Sequence, residues 1–106
     1  MNDKKIILYQ FFLNSSFGHN ELSLTEFSEK FIIDEIENNR SFKISKIKFF
    51  SAVESLEKDK LLIKSSKHHL TTLNSWRLTK KCKEKFQLIA NKNVSSFEEF
   101  KFYIDF

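Results

Sequence analysis

The sequence predicts a mainly α, α+β fold built as one domain, and three observations carry that expectation. Its 106 residues contain no proline and a single glycine, Gly18, which favours long helices over the turn-rich chemistry of a β-sandwich. Apolar residues recur at spacings of three and four in several separate stretches, the period of a helix that buries one face. Two short apolar runs, one on each side of a polar connection, read as a single hairpin. The length allows one core and is too short for two. With 41% apolar and 30% charged residues, the chain has the apolar bulk to fold. Its thirteen phenylalanines equally fit an AT-rich coding sequence and carry no functional weight.

The first element is "KKIILYQFFLN", residues 4 to 14. Ile6, Ile7, Leu8, Tyr9, Phe11, Phe12 and Leu13 make this helix apolar nearly all round, so it needs two packing partners, the second of them expected to be another subunit. A loop around Gly18 follows. Thr25 then opens "TEFSEKFIIDEIENN" as an N-cap with an acidic first turn, and Leu24, Phe27, Phe31, Ile32 and Ile36 line one side. A third helix, capped by Ser41 or Ser45, repeats Phe49, Val53 and Leu56 at helical spacing and ends near Asp59-Lys60. "LLIKSS" is a strand, "KHHLTTLNS" the connection and "WRLT" the returning strand. Thr79 caps a fourth helix with Cys82, Phe86 and Ile89 inward. In the last stretch, "FEEFKFYIDF", Ser95 with Glu98 or Ser96 with Glu99 offers a capping box. A strand is the rival there, because the segment also half-alternates.

Charge is unevenly placed. Residues 1 to 40 hold four basic and seven acidic side chains, residues 41 to 92 thirteen and four, and residues 93 to 106 one and three. A basic middle between acidic ends is the pattern of one polyanion-binding face, although lysines on solvated helix faces produce runs of the same kind. One cysteine cannot close an internal disulfide, which fits a reducing compartment. The start has lysines before an apolar run, as a signal peptide does, but the run from Ile6 to Leu13 is short and contains Gln10. A folded helix and a cytoplasmic protein are expected, with no membrane span, since a span needs about 20 apolar residues. Neither a Ser/His/Asp order nor a phosphate-cradling glycine loop is recognisable. No enzyme and no cofactor are expected.

Helix, helix, helix, strand, loop, strand, helix, helix is the order of a winged helix-turn-helix domain, in which the third helix enters the DNA major groove. "FFSAVESLEKDKLLIKSS" followed by "WRLTKKCKEKF" resembles the MarR-type and PadR-type winged-helix transcriptional regulators. Those families commonly end a helix in Leu-Glu-Lys-Asp-Gly-Leu-Ile and, after the wing, show an aromatic residue, one residue, and Leu-Thr-x-x-Gly. Leu56 to Leu62 match the first pattern with Lys60 at the glycine position; Trp76, Leu78 and Thr79 match the second with Cys82 at its glycine. The resemblance covers residues 24 to 90. It implies a left-handed turn at position 60, where lysine costs roughly 1 kcal/mol, and a close-packed position 82, where cysteine is a small apolar replacement.

That order and charge lead to an expected function: sequence-selective binding of double-stranded DNA by a small homodimeric transcriptional regulator, with residues 4–14 and 96–106 as dimerisation helices. A winged-helix protein-interaction adaptor is the alternative, and an origin-binding replication or partition factor of a phage or plasmid is a further one. The candidate DNA contacts are Lys43, Ser45, Lys46, Lys48 and Ser51 near the start of the third helix. Lys64, Lys67, His68 and His69 on the strand and wing would add phosphate or minor-groove contacts. The histidines are adjacent, so on an extended chain they point apart, and no metal site is expected. Arg77, Lys80, Lys81, Lys83 and Lys85 either extend the positive surface or keep the fourth helix soluble.

Overall fold

Five helices and a three-stranded antiparallel sheet form a mixed α+β domain in the computed structural model, which describes residues 2–18, 24–40, 43–65 and 74–104. The helices are α1 (Asn2–Asn14), α2 (Glu29–Arg40), α3 (Lys46–Lys58), α4 (Lys80–Ala90) and α5 (Phe97–Tyr103). The strands are β1 (Phe27–Ser28), β2 (Leu62–Lys64) and β3 (Ser75–Leu78), in the order β1-β3-β2. One continuous core takes a side chain from every one of these elements.

At its centre lies α1. Ile7, Leu8, Tyr9, Phe11 and Phe12 are all buried, and the helix packs against α2, α3 and α5. Tyr9 meets Phe97 and Phe100 of α5, Phe12 meets Phe86 of α4, and Phe11 meets Phe27 of β1. The all-round apolar pattern is thus met largely by packing within the chain, with Ile6 and Leu13 partly buried. Gly18 closes the turn after α1. A Cβ there would come within 2.5 Å of the Leu13 carbonyl oxygen and 2.6 Å of that of Phe12.

The sheet differs from the expected two-stranded hairpin. Phe27 pairs with Trp76 and Ser28 with Ser75, adding a third strand on the free edge of β3. This capture also corrects the start of α2. Thr25 is not the N-cap; the helix begins at Glu29, and the Ser28 hydroxyl accepts the Phe31 N–H at 3.2 Å. Burial of Phe27 against Phe11 and pairing with β3 outweigh the local capping signal of Thr25.

β2 and β3 pair Leu62 with Leu78, Ile63 with Arg77 and Lys64 with Trp76. Strand alternation puts Leu62, Leu78 and Trp76 on the face toward α3, while Ile63 and Arg77 take the other. α3 is capped by Ser45, whose hydroxyl accepts the Lys48 N–H; Ser41 lies outside the described residues. The end of α3 is a Schellman motif. Leu61 N–H donates to the Leu56 carbonyl and Lys60 N–H to that of Glu57, each at 3.0 Å, with Lys60 left-handed at φ 61°. α4 is capped by Thr79 and α5 by Ser96, which makes the last segment a helix. Ser95 and Ser96 hydroxyls both reach the Glu99 carboxylate.

Candidate nucleic-acid interface

The first two turns of α3 are two-sided because of where their apolar residues fall. Phe49, Ala52, Val53 and Leu56 are buried, and Phe49 meets the Trp76 ring at 5.8 Å. Lys43, Ser45, Lys46, Ile47, Lys48, Ser51 and Glu54 are exposed on the other side. No acidic residue sits in the first turn of α3. Helix N-termini carry a partial positive charge that carboxylates usually offset. Here lysines replace the carboxylates, so the end of the helix and its side chains present the same sign to solvent.

The far end of α3 is pinned at several points. Trp76 Nε1 donates to Glu57 at 3.1 Å, Lys81 Nζ donates to the Asp59 carbonyl at 2.9 Å, and the Thr79 hydroxyl donates to the Lys60 carbonyl. Lys4 pairs with the Asp59 carboxylate. These ties place cations on the negative end of the helix dipole and fix α3 against β3, α4 and α1. A polar face held on a fixed helix can meet a rigid partner with little loss of side-chain or backbone freedom.

Each predicted site residue has a definite place except those outside the described residues. Lys43 is exposed just before the helix. Ser45 is exposed, but its acceptor is committed to the cap. Lys46 lies 3.9 Å from Glu29, and Glu29 also accepts from Asn74 Nδ2 at 3.2 Å. At that separation and exposure the Lys46 pair is weak and leaves the ammonium available to an anion. Lys48 and Ser51 project freely to solvent. Lys64 is exposed opposite Trp76, on the sheet face toward α3. Lys67, His68 and His69 lie outside the described residues.

Other cations of the basic block go elsewhere. Arg77 is on the opposite sheet face, where it and Lys83 line an open cleft of about 490 Å³ with Ser15, Thr25 and Ile63. Lys81 serves the end of α3. The basic middle of the sequence therefore divides between two faces of the domain. Ile47 was missed by pattern reading. It falls off the Phe49-Val53-Leu56 stripe and is 83% exposed between two lysines, and that off-stripe position was its signal.

Cys82 is fully buried in α4. Burial pushes its thiol up to about 12, against a smaller opposing pull from Lys85. A thiol held neutral is a poor nucleophile, so the side chain acts as core packing where it stands. On α4 and α5, Leu88 is 65% and Phe102 81% exposed; Phe102 packs edge-on to Tyr103, and Leu88 and Tyr103 share a shallow groove. No helix among the described residues is long and apolar enough to cross a membrane. Comparison of the chain with protein-family models, curated proteins and solved structures gives no match.

Proposed function

We propose that the protein is a winged helix-turn-helix protein that binds double-stranded DNA sequence-selectively, as a small homodimeric transcriptional regulator. One observation carries this reading: the solvent face of α3, with Lys46, Lys48 and Ser51 at its start and Lys43 just before it, is exposed, basic in its first turn and borne on a helix locked to the domain by its other face. Residues at the start of a helix are the ones that reach base edges and flanking phosphates when it lies in a major groove. Lys64, on the sheet face toward α3, adds a cation beside that helix. The order of α2, α3, β2 and β3 supports the same class.

Leu88, Phe102 and Tyr103 support self-association, with α5 rather than α1 as the pairing element. In a two-fold dimer the α3 helices would meet successive major grooves about 34 Å apart. The same apolar patch also suits a different protein partner, which keeps the adaptor as the second reading.

Titration of a mixed-sequence fluorescent duplex at two salt concentrations tests the proposal. Binding at low salt is expected, and Lys46→Ala with Lys48→Ala should weaken it while the fold stays intact. Each lost phosphate contact should flatten the slope of log K against log salt by about 0.9. Wild-type affinity in the double variant would remove α3 from the interface. No binding at either salt concentration would favour the adaptor.

A further inference from the structure

Ile47 is the most exposed large apolar side chain among the described residues, and it stands apart from the others. Leu88, Phe102 and Tyr103 cluster on α4 and α5, and Ile63 belongs to the outer face of the sheet. Ile47 is the second residue of α3, with Lys46 before it, Lys48 after it and Ser51 one turn further along the same face. An apolar patch for a protein partner has several exposed apolar members; Ile47 is flanked in sequence by two lysines, with the half-buried Phe50 and the exposed Ser51 one turn on and Glu54 beyond them. Such surroundings suit a ligand that is anionic at its edges and apolar at one point.

The major groove of DNA offers that combination. Phosphates line its rims, and the C5-methyl group of thymine is the apolar feature among its base edges. The rest of the α3 face sharpens the match. The helix, "KIKFFSAVESLEK", contains no Arg, Asn or Gln, so the planar forked donors that single out guanine or adenine are missing, and guanine O6 and N7 can be met only by the ammonium of Lys46 or Lys48. The Ser45 hydroxyl already accepts the Lys48 N–H. Ser51 is a small hydroxyl open to either base type, and the lysine ammoniums are flexible point charges without the fixed fork of an arginine, so polar readout from this face is less exacting. Ile47 is also β-branched, hence stiff at χ1, and holds a fixed apolar shape toward the groove.

We propose that Ile47 is a specificity-determining residue that packs on thymine methyl groups in the major groove and selects T-containing steps opposite the start of α3. This inference rests on the DNA-binding reading above, and its test separates the two. A duplex selected from a random pool is resynthesised with deoxyuridine in place of every thymidine, which removes the methyl groups and leaves hydrogen bonding and phosphates unchanged. Affinities of the wild type, Ile47→Ala and the Lys46→Ala/Lys48→Ala variant are then measured by fluorescence anisotropy at two salt concentrations.

The wild type should lose about fourfold in affinity on the uracil duplex for each methyl group covered, from the transfer value of one buried methyl-sized group. Ile47→Ala should bind the two duplexes equally and keep the wild-type salt slope, because it removes no phosphate contact. Since Ile47 touches solvent, the variant should melt with the wild type. Equal binding of both duplexes by the wild type, with a salt slope that still depends on Lys46 and Lys48, would overturn the methyl contact and leave DNA binding standing. Discrimination retained in Ile47→Ala would assign it to another residue. Failure of the wild type to bind any duplex at low salt would remove both.

Discussion

Replacing Lys60 with glycine should stabilise the protein. Lys60 has φ 61° at the end of α3, and a side chain in the left-handed region costs roughly 1–2 kcal/mol through the contact of Cβ with the backbone. Glycine removes that contact but adds about 0.4–1 kcal/mol of freedom to the unfolded chain. Nothing else is lost: the motif uses the backbone N–H of Lys60 to the Glu57 carbonyl and that of Leu61 to the Leu56 carbonyl. The Thr79 hydroxyl also needs only the Lys60 carbonyl. The net gain is about 1 kcal/mol, which for a domain of this size raises the melting temperature by about 4 °C. Thermal melts followed by circular dichroism, with urea titrations followed by Trp76 fluorescence, measure it. Lys60→Ala is the control, because it removes the charge and keeps Cβ. Equal stability of the glycine and alanine variants would refute the backbone explanation and point to relief of charge repulsion.

Two further outcomes follow from the packing. Gly18→Ala drives a methyl group into the last carbonyls of α1 and should destabilise by about 1–3 kcal/mol, read as a lower urea midpoint at unchanged m-value. The Cys82 thiol, raised from 9.0 to about 12 by burial, makes stability fall with rising pH. Between those values the unfolded chain has lost the proton and the folded chain retains it, so the loss approaches about 1.4 kcal/mol per pH unit. Urea titrations of the wild type and Cys82→Ala at pH 8 and pH 10 isolate this term from lysine titration. Parallel pH dependence of the two proteins would dismiss it. A thiol reagent at pH 8 should likewise react with Cys82 only after denaturant is added.

The elements whose signals are local were legible in the sequence. Ser45 and Thr79 cap α3 and α4 as their positions before periodic apolar runs require, and Phe49, Val53, Leu56, Cys82, Phe86 and Ile89 face inward. The unfavourable lysine at position 60 could be placed because its helix end has a recognisable pattern. Elements decided by tertiary contact were not legible. β1 is two residues long and exists because the free edge of β3 and the Phe11 ring take Phe27, information that no local window contains. The apolar content of α1 announced burial without saying against what, and the packing on α2, α3 and α5 of the same chain was not legible. In the candidate site, charge content pointed to the exposed lysines at the start of α3, but composition could not tell that Arg77 and Lys83 line a cleft on another side. Ile47 escaped because periodicity searches for apolar residues that agree with one another.

Enclosure of α1 constrains how the chain can fold. Tyr9 packs among Phe12, Phe97 and Phe100, and the Lys5 ammonium donates to the Lys101 carbonyl, so the first helix closes onto the last across most of the sequence. α1 can dock first on α2 and α3, but its Tyr9 side is covered only when α5 arrives, and bringing such distant segments together carries the loop-closure entropy that slows folding. Until then the side of α1 that carries the Tyr9 ring is uncovered and prone to self-association. Loss of α5 would therefore unseal the centre of the domain rather than trim its edge.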